Sequence, residues 1–273
     1  MLKRLFATGL VLLFLLPLRA QWNYASEDCE NATRKYQPLP ADARTITTNF
    51  NGQPLDPDND NSGIQPIGFE FPFNGRVFSS FVLNTNGFIK LGNTAPSSVM
   101  IAYTQAVGTG HSAITAPDSN LLYPFNRNMI ATKETSYKLL TSGKEGQRVC
   151  TIGFSRLADN VSPAQFSSIS FQLKLYETTG IIEFIYGEWE SSGETDALTV
   201  AAVGIKGNAT SSSVNVMKGS VVPWDIPMSV SSANPYLFID GNYNVKGPNF
   251  GVRNTILPDK GRTYRFIPVR KKE

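Results

Sequence analysis

Short strand-like stretches, each closed by a tight turn, constrain the fold of this chain more than any other feature. Val77–Asn84 has the composition of a strand, and Asn86-Gly87 separates it from a second apolar stretch, Phe88–Leu91. Asn-Gly between two such stretches is a strong signal for a two-residue β-hairpin turn. A second unit alternates apolar and polar residues over Ile169–Tyr176 and turns at Gly180 into another apolar stretch. Since a period of two residues is typical of a strand with one polar face, we predict two β-hairpins.

Further strand-like stretches follow at short intervals, separated by turns rich in Gly, Asn, Ser and Pro. They are Ile67–Phe73, Ser136–Leu140, Arg148–Phe154, Leu198–Ile205, Pro235–Ile239 and Thr263–Val269. Apolar residues at helical spacing are nearly absent. This pattern predicts an all-β fold, a β-sandwich or jelly-roll-like arrangement with mostly antiparallel strands. The wide loops, roughly 93–120 and 206–234, are where we expect recognition to occur.

The N-terminal residues have the order of a secretory signal peptide. Lys3 and Arg4 precede an apolar run over 10–16, and the small residue Ala20 follows it. The run is shorter than the roughly 20 apolar residues of a membrane span. We therefore predict a signal peptide over 1–20 and a mature chain with no transmembrane segment. The protein is expected to be secreted, to the periplasm, the cell surface or the extracellular space.

The rest of the chain divides into three parts by composition. Residues 21–45 are polar and contain two prolines, which predicts an extended N-terminal segment that pairs along a sheet edge. Residues 46–269 carry the strand-like stretches and form the predicted β-sandwich domain. Residues 270–273 form a short basic tail.

The charge balance bears on the class of partner. Lys3, Arg4 and Arg19 account for the whole formal charge of +3, because 25 basic residues minus 3 leave 22 against 22 acidic ones. A neutral mature chain lacks the basic surface that nucleic acid or anionic lipid requires. We expect no nucleic-acid partner.

The two cysteines, Cys29 and Cys150, allow two interpretations. In an oxidising compartment two cysteines are expected to form one disulfide, which would join the N-terminal segment to a strand. In the alternative, Cys150 is a buried thiol within an apolar strand and Cys29 lies near the terminus. We predict the Cys29–Cys150 disulfide.

An acidic stretch resembles a calcium-binding loop. Asp56, Asp58 and Asp60 alternate with other residues shortly before Gly63, and calcium prefers six to eight oxygen ligands from a curved loop. The EF-hand pattern fails, because Phe69 occupies the twelfth position counted from Asp58. The alternative is an acidic turn built from good turn formers. A structural calcium ion is the one candidate cofactor.

Aromatic residues outside the clearest strands are candidates for sugar stacking. Trp189, Trp224 and Tyr243 are the predicted ligand-binding residues, with Tyr236 as a further candidate. In a sandwich, aromatic side chains also serve as core residues, which is the alternative for each of them.

Signals of catalysis are weak. His111 is the only histidine, and no nucleophile elbow is present, so a Ser-His-Asp site has little support. A glycoside hydrolase needs two carboxylates about 5–10 Å apart. Its nearest candidates are Glu183, Glu188, Glu190 and Glu194. We predict that the protein is not an enzyme, with a glycan-active hydrolase as the alternative.

Several segments together resemble a nidogen-like extracellular β-sandwich module, found in secreted and surface proteins of bacteria that use type IX secretion. They are Ile67–Gly75, Val82–Gly92, Arg148–Ile152, Ile169–Tyr186, Gly204–Gly207 and Tyr264–Phe266. The resemblance implies a module that accompanies adhesion, glycan-binding or protease architectures and is not itself catalytic.

The function predicted from the sequence is a secreted, non-catalytic binding or adhesion module of the cell envelope. Its expected partner is a protein or a glycan of that envelope. Besides the hydrolase, an accessory subunit of an outer-membrane assembly is a second alternative.

Overall fold

The computed structural model describes residues 22–47, 58–97, 118–208, 212–224, 238–240 and 250–270. In this part of the chain the named elements are all β-strands, and they form two antiparallel sheets that pack around a shared apolar core. The predicted β-sandwich with mostly antiparallel strands is confirmed. The predicted signal peptide over 1–20 lies outside the described residues.

Fifteen strands of the described residues make up the two sheets. In chain order they are β1 (Trp22–Thr33), β2 (Arg44–Thr45), β3 (Gln65–Phe73), β4 (Arg76–Asn84), β5 (Phe88–Leu91), β6 (Leu121–Asn126), β7 (Met129–Ser142), β8 (Val149–Asp159), β9 (Phe166–Tyr176), β10 (Ile182–Ser191), β11 (Thr199–Lys206), β12 (Ser213–Val216), β13 (Phe238–Asp240), β14 (Phe250–Val252) and β15 (Arg262–Arg270). The seven-stranded sheet has the order β1-β15-β10-β9-β8-β7-β2. The eight-stranded sheet has the order β13-β12-β11-β6-β5-β4-β3, with β14 paired to β11.

The chain builds the sandwich from two meanders. Strands β3 to β6 are neighbours in the eight-stranded sheet, and β7 to β10 are neighbours in the seven-stranded sheet. Only Arg127 and Asn128 separate β6 from β7, so the chain changes sheets at this corner. Strand β11 returns to lie beside β6, and β15 inserts between β10 and β1.

The first predicted hairpin is β4–β5, and its turn depends on Gly87. That residue has a φ of 79°, and a Cβ added to it would lie 2.1 Å from the backbone oxygen of Phe125. Only glycine combines this conformation with so close a backbone approach. The Asn-Gly signal thus places the turn against the next strand of the same sheet.

Strands β6, β12 and β14 escaped the sequence prediction. Strand β12 lies within 206–234, so the prediction of a continuous loop there is wrong at these positions. Strand β6 is buried at every position. A strand buried on both faces lacks the alternation by which strands are recognised, so periodicity could not reveal it.

Aromatic side chains fill the space between the sheets. The ring of Phe125 on β6 lies 4.7 Å from Trp189 on β10 and 6.4 Å from Phe171 on β9. Phe171 in turn stacks on Phe154 of β8 at 4.7 Å. Burial of each such ring stabilises the fold by about 2–3 kcal/mol. The core therefore joins the two sheets through aromatic contacts.

The predicted disulfide is wrong, because both cysteines are buried thiols. Cys150 pairs across the sheet with Leu175, which pairs with Ile182, which pairs with Phe266, which pairs with Cys29. Four strand spacings separate the ends of this row, or about 19 Å. A disulfide needs Cα atoms within roughly 7 Å. Burial also raises the pKa of the Cys150 thiol to about 12.

The predicted extended N-terminal segment contributes strands to both edges of the seven-stranded sheet. Strand β1 pairs with β15 at one edge, and β2 pairs with β7 at the other. Residues 34–43, here called the strap, therefore cross the outer face of this sheet. The strap therefore determines which groups on that face remain accessible.

Candidate functional site

The two tryptophans predicted to bind a ligand are core residues, so that prediction is wrong for both. Trp189 is 8% exposed and its indole Nε1 donates to the backbone oxygen of Ser170 at 2.9 Å. Trp224 is 1% exposed and donates to the backbone oxygen of Ile256 at 3.0 Å. A sugar-stacking platform needs an exposed ring face, which neither provides. Tyr243 lies outside the described residues, as does Tyr236.

The predicted calcium loop is described only in part. Asp56 lies outside the described residues, whereas Asp58 and Asp60 precede β3 at the sheet corner. Asp60 Oδ1 accepts a hydrogen bond from the backbone N of Asn61 at 2.7 Å. Asp58 Oδ1 is buried and has no hydrogen-bond partner within the described ranges. Among the described residues, no three His, Cys, Asp or Glu side chains form a group that could hold a metal ion.

The segment that holds these two aspartates docks on the β4–β5 turn. Asn86 Nδ2 donates to Asn59 Oδ1 at 2.7 Å, and Asn84 Nδ2 donates to Asn61 Oδ1 at 2.8 Å. Thr85 adds a backbone bond to Asp60 O at 2.9 Å. The asparagine side chains of the two segments thus satisfy each other's hydrogen-bonding groups, which is the contact expected of an acidic turn.

A buried ion pair fixes the neighbouring corner between the sheets. Arg127 Nε lies 2.6 Å from Asp159 Oδ1, and the two side chains are 2% and 0% exposed. Arg127 Nη1 also donates to Thr199 Oγ1 at 2.8 Å, while Asp159 Oδ2 accepts from the backbone N of Gln165 at 2.9 Å. The pair thus holds β6, β8 and β11 together. Its partners explain it as a structural element.

The candidate hydrolase carboxylates on β10 and beyond have internal partners in three of four cases. Glu183 is 3% exposed and lies 3.0 Å from Arg265 Nε and 3.6 Å from Arg34 Nε. The Lys260 ammonium group, 2.5 Å away, lowers the pKa of Glu188. Glu194 accepts a hydrogen bond from the backbone N of Ala164 at 2.8 Å.

Glu188 and Glu190 are both exposed on β10, but the tryptophan between them points into the core. Glu183 lies five residues before Glu188 on the same strand, a separation of about 16 Å. The described residues therefore bring no exposed tryptophan beside these carboxylates.

The strap covers the outer face of the seven-stranded sheet and satisfies its polar groups. The Tyr36 ring rests on Gly187, where an added Cβ would lie 2.4 Å from the ring. Burial raises the pKa of the Tyr36 hydroxyl, an effect that the side chains of Ser155 and Ser170 partly offset. Gln172 Nε2 donates to the backbone oxygen of Gln37 at 2.6 Å. Gly187 and the two serines thus form the surface on which the Tyr36 side chain packs. This face is closed by the chain itself.

The outer face of the eight-stranded sheet carries a different set of groups, here called the loop-root cluster. It consists of Lys90, Asp118, Tyr123, Lys206 and Asn215. Strand pairing brings Lys90 and Lys206 together, because both pair with Leu121, and Asp118 lies three residues before Leu121. The cluster lies where the predicted recognition loops 93–120 and 206–234 begin or end.

An ion pair joins the two ends of the first wide loop. Lys90 Nζ donates to Asp118 Oδ1 at 2.7 Å, and Asp118 Oδ2 accepts from the backbone N of Ser97 at 2.7 Å and from its hydroxyl at 2.8 Å. Burial alone would raise the pKa of Asp118, but the hydrogen bonds from Lys90 and Ser97 lower it. The first wide loop therefore leaves and rejoins the sheet beside the Lys90–Asp118 ion pair.

The rest of the cluster includes a polar group with no partner among the described residues. Tyr123 donates to Asn215 Oδ1 at 2.8 Å, while Asn215 Nδ2 is buried and has no acceptor. Burial lowers the pKa of the neighbouring Lys206, an effect that Asp118 partly offsets. An unsatisfied buried donor costs about 1–3 kcal/mol and calls for an explanation.

The Lys218 side chain packs against the buried ring of Trp224. Its ammonium group donates to the backbone oxygens of Val222 at 2.8 Å and Gly219 at 3.0 Å, and lies 5.6 Å from the rings of Trp224 and Phe250. Burial lowers the pKa of Lys218 to about 8. The lysine caps a turn and contacts two aromatic faces.

Sequence reasoning missed the strap anchor Tyr36, the corner residue Arg127 and the buried lysines at 206 and 218. Nothing in one sequence distinguishes a buried lysine from an exposed one. A signal was available only for Tyr36, since Gly187 interrupts an apolar strand, and such a glycine often marks a close approach of another segment.

Comparison with known proteins gave one match. No curated protein and no solved structure matched the chain. Nor does the described part of the chain contain a helix with the length and apolar character needed to cross a membrane. A family model described as NIDO related matches residues 27–268, which confirms the resemblance to a nidogen-like module. Because this match extends from β1 to β15, the protein belongs to the NIDO-related family.

Proposed function

We propose that the protein is a secreted, non-catalytic module that binds a protein or a glycan of the cell envelope through the outer face of its eight-stranded sheet. The observation that carries the proposal is the contrast between the two outer faces. The seven-stranded sheet is covered by the strap, whereas the other face gathers two lysines and an unsatisfied amide at the roots of the predicted recognition loops.

The partners of the carboxylates support a non-catalytic role. Glu183 is held between Arg34 and Arg265, and Glu188 is paired with Lys260. A general acid in a glycoside hydrolase needs a raised pKa, whereas Lys260 lowers the pKa of Glu188. These residues have the environment of structural ion pairs.

The chemistry of the loop-root cluster indicates what a ligand would supply. Asn215 Nδ2 requires an acceptor oxygen, which the described residues do not supply. Sugar hydroxyls, carboxylates and backbone carbonyls all present such oxygens. The ligand is therefore expected to be polar and rich in acceptors.

The test is an affinity pull-down of the mature chain, residues 21–273, from solubilised envelope of the source organism, followed by glycan arrays. Thr94 and Asn208 are exposed at the two loop roots, and Thr179 is exposed on the β9–β10 turn of the other sheet. We expect Thr94→Arg and Asn208→Arg to reduce recovery of the ligand at least tenfold. The matched control Thr179→Arg is expected to bind as the unmodified chain does.

Other outcomes would redirect the proposal. Equal loss of binding in all three variants would place the ligand elsewhere. Recovery of a defined outer-membrane complex would favour an accessory subunit. Release of sugar from an array would instead favour a hydrolase.

Calcium is a second proposal, supported by the unpartnered Asp58 Oδ1 beside Asp60. A calcium ion would take oxygens from Asp56, Asp58 and Asp60 and hold the turn that docks on β4–β5. Thermal unfolding with calcium and with chelator tests it, with Asp56→Asn as the variant and Asp42→Asn as the control. A chelator effect that persists in Asp56→Asn would contradict this assignment.

A further inference from the structure

The strap closes the seven-stranded sheet over Gln172, but the next row of side chains along the strands remains partly exposed beside it. Strand pairing aligns this row across β1, β15, β10 and β9, in the order Glu30, Arg265, Glu183 and Lys174. The residues that flank the last three along their strands belong to the core, so the row points outward. Four charged side chains thus share one line on the outer face.

Glu183 is the buried centre of this row. It is 3% exposed, and its Oε2 accepts a hydrogen bond from the Tyr176 hydroxyl at 2.6 Å. Its Oε1 lies 3.0 Å from Arg265 Nε and 3.6 Å from Nε of Arg34, the first residue of the strap. Two guanidinium groups therefore approach one buried oxygen, and Lys174 lies directly across the β9–β10 pair from the same carboxylate. Packing and pairing set the positions of these groups before any ligand binds.

The three cations around Glu183, here called the basic patch, are Arg34, Lys174 and Arg265. Their hydrogen-bond donors are only partly used. Arg265 Nη1 donates to Glu30 Oε2 at 3.0 Å, whereas its Nε is buried and has no aligned acceptor among the described residues. The Arg34 side chain is 45% exposed, and the described part of the chain offers its two Nη groups no acceptor. Nor does any described carboxylate pair with Lys174.

The charge balance indicates the class of ligand. The three cations of the basic patch face two carboxylates, Glu30 and Glu183, which leaves one positive charge unbalanced on a partly exposed surface. One negative charge on a ligand would balance it. The free Nη edge of Arg34 presents two parallel N–H groups, the geometry that binds a carboxylate through both oxygens. The Lys174 ammonium group adds a point charge without a preferred plane.

We infer that the basic patch binds one singly charged oxyanion, a carboxylate in the simplest case, beside the strap on the seven-stranded sheet. The site lies on the opposite outer face from the loop-root cluster, so it goes beyond the proposed function and does not depend on it. Glu183 is a positioning residue that orients the guanidinium groups, while Arg34 and Lys174 contact the ligand.

Acetate and acetamide are matched probes, because they have nearly the same shape and only acetate is charged. The mature chain, residues 21–273, would be titrated with each probe at low ionic strength and followed by NMR of its backbone amides. We expect saturable shifts centred on Arg34, Lys174 and Arg265 with acetate and none with acetamide. Shifts that rise without saturation, or that are the same for both probes, would overturn the inference.

Two variants remove the proposed ligand contacts. Arg34→Gln and Lys174→Gln should each weaken acetate binding at least tenfold, because each removes a charged donor. Lys144→Gln is the matched control, since this lysine is exposed on the β7–β8 turn of the same sheet. Thr94→Arg at the loop roots should also leave acetate binding unchanged. Equal weakening in Lys144→Gln, or loss of acetate binding in Thr94→Arg, would contradict the assignment to the basic patch.

Galacturonate and acetylglycine then compare two sources of the carboxylate, an acidic sugar and a peptide C-terminus. The tighter of the two identifies the source, and its binding should weaken in Lys174→Gln as acetate binding does. If neither compound displaces acetate, the patch does not serve as a carboxylate site and the inference is wrong.

Discussion

The outer faces of the two sheets differ in how their polar groups are satisfied. On the seven-stranded sheet, Gln172 and Glu183 are buried beneath the strap, and each finds a partner on it, Gln37 and Arg34. On the eight-stranded sheet, Asn215 is equally buried, but its Nδ2 finds no acceptor in the described part of the chain. Burial is similar on both faces, but the strap supplies partners to Gln172 and Glu183, whereas no described segment supplies an acceptor to Asn215 Nδ2. A face with unsatisfied donors at loop roots is the better candidate for recognition.

The largest expected effect comes from breaking the loop-root cluster. Asp118→Ala removes the carboxylate that pairs with Lys90 and accepts two hydrogen bonds from Ser97, so we expect a loss of about 3 kcal/mol of unfolding free energy. The measurement is urea denaturation followed by tryptophan fluorescence. The control is Glu134→Ala, whose ion pair with Arg156 is exposed and is expected to matter by less than about 0.5 kcal/mol. Similar values for both variants would remove the distinction between buried and exposed pairs.

A smaller loss of unfolding free energy is expected from displacing the strap from the outer face of the seven-stranded sheet. Gly187→Ala places a Cβ against the Tyr36 ring, and overpacking of this kind costs about 2 kcal/mol. Gly153→Ala, under Leu39, should cost less than about 1 kcal/mol, because a leucine end can move by a few tenths of an ångström. Both values come from the same denaturation experiment. If Gly187→Ala proves as stable as Gly153→Ala, the strap is not seated on that glycine.

The pH dependence of stability sharpens the comparison at the end of the eight-stranded sheet. Burial lowers the pKa of Lys218 from 10.5 to about 8. Between these values the unfolded chain binds more protons than the folded one, so this group makes stability rise with pH by up to about 1.4 kcal/mol per unit. Lys218→Met should abolish this rise in chemical denaturation measured from pH 7 to 10. Lys174→Met, on the other sheet, should keep it, and a loss of the rise in both variants would contradict the assignment.

The smallest expected change concerns the thiols. Denatured, unreduced protein should yield two titratable thiols per chain, since Cys29 and Cys150 lie about 19 Å apart along one row of the sheet. Folded protein should react slowly, because both side chains are buried. A thiol count near zero after denaturation would show an oxidised form with a different strand arrangement.

Most of the fold could be predicted, because a half-buried strand marks itself by alternation and its turn by Asn-Gly or Gly. The hairpins at β4–β5 and β9–β10 were found in this way. Strand β6 was not, since burial on both faces removes the period. The candidate site was harder: two of the aromatic residues chosen as ligand contacts are in the core. Aromatic residues look alike in sequence whether they face a ligand or another ring.

The sequence by itself determined the all-β class, the order of most strands and the membership in a family of nidogen-like modules. These depend on local patterns of apolar residues and turns. Only the tertiary structure decided that the cysteines stand four strands apart, that the strap closes one face, and that Lys206 and Asn215 are buried on the other. Each of these depends on which distant strands become neighbours. Such pairing is set by packing over the whole sandwich, which no local stretch of the chain encodes.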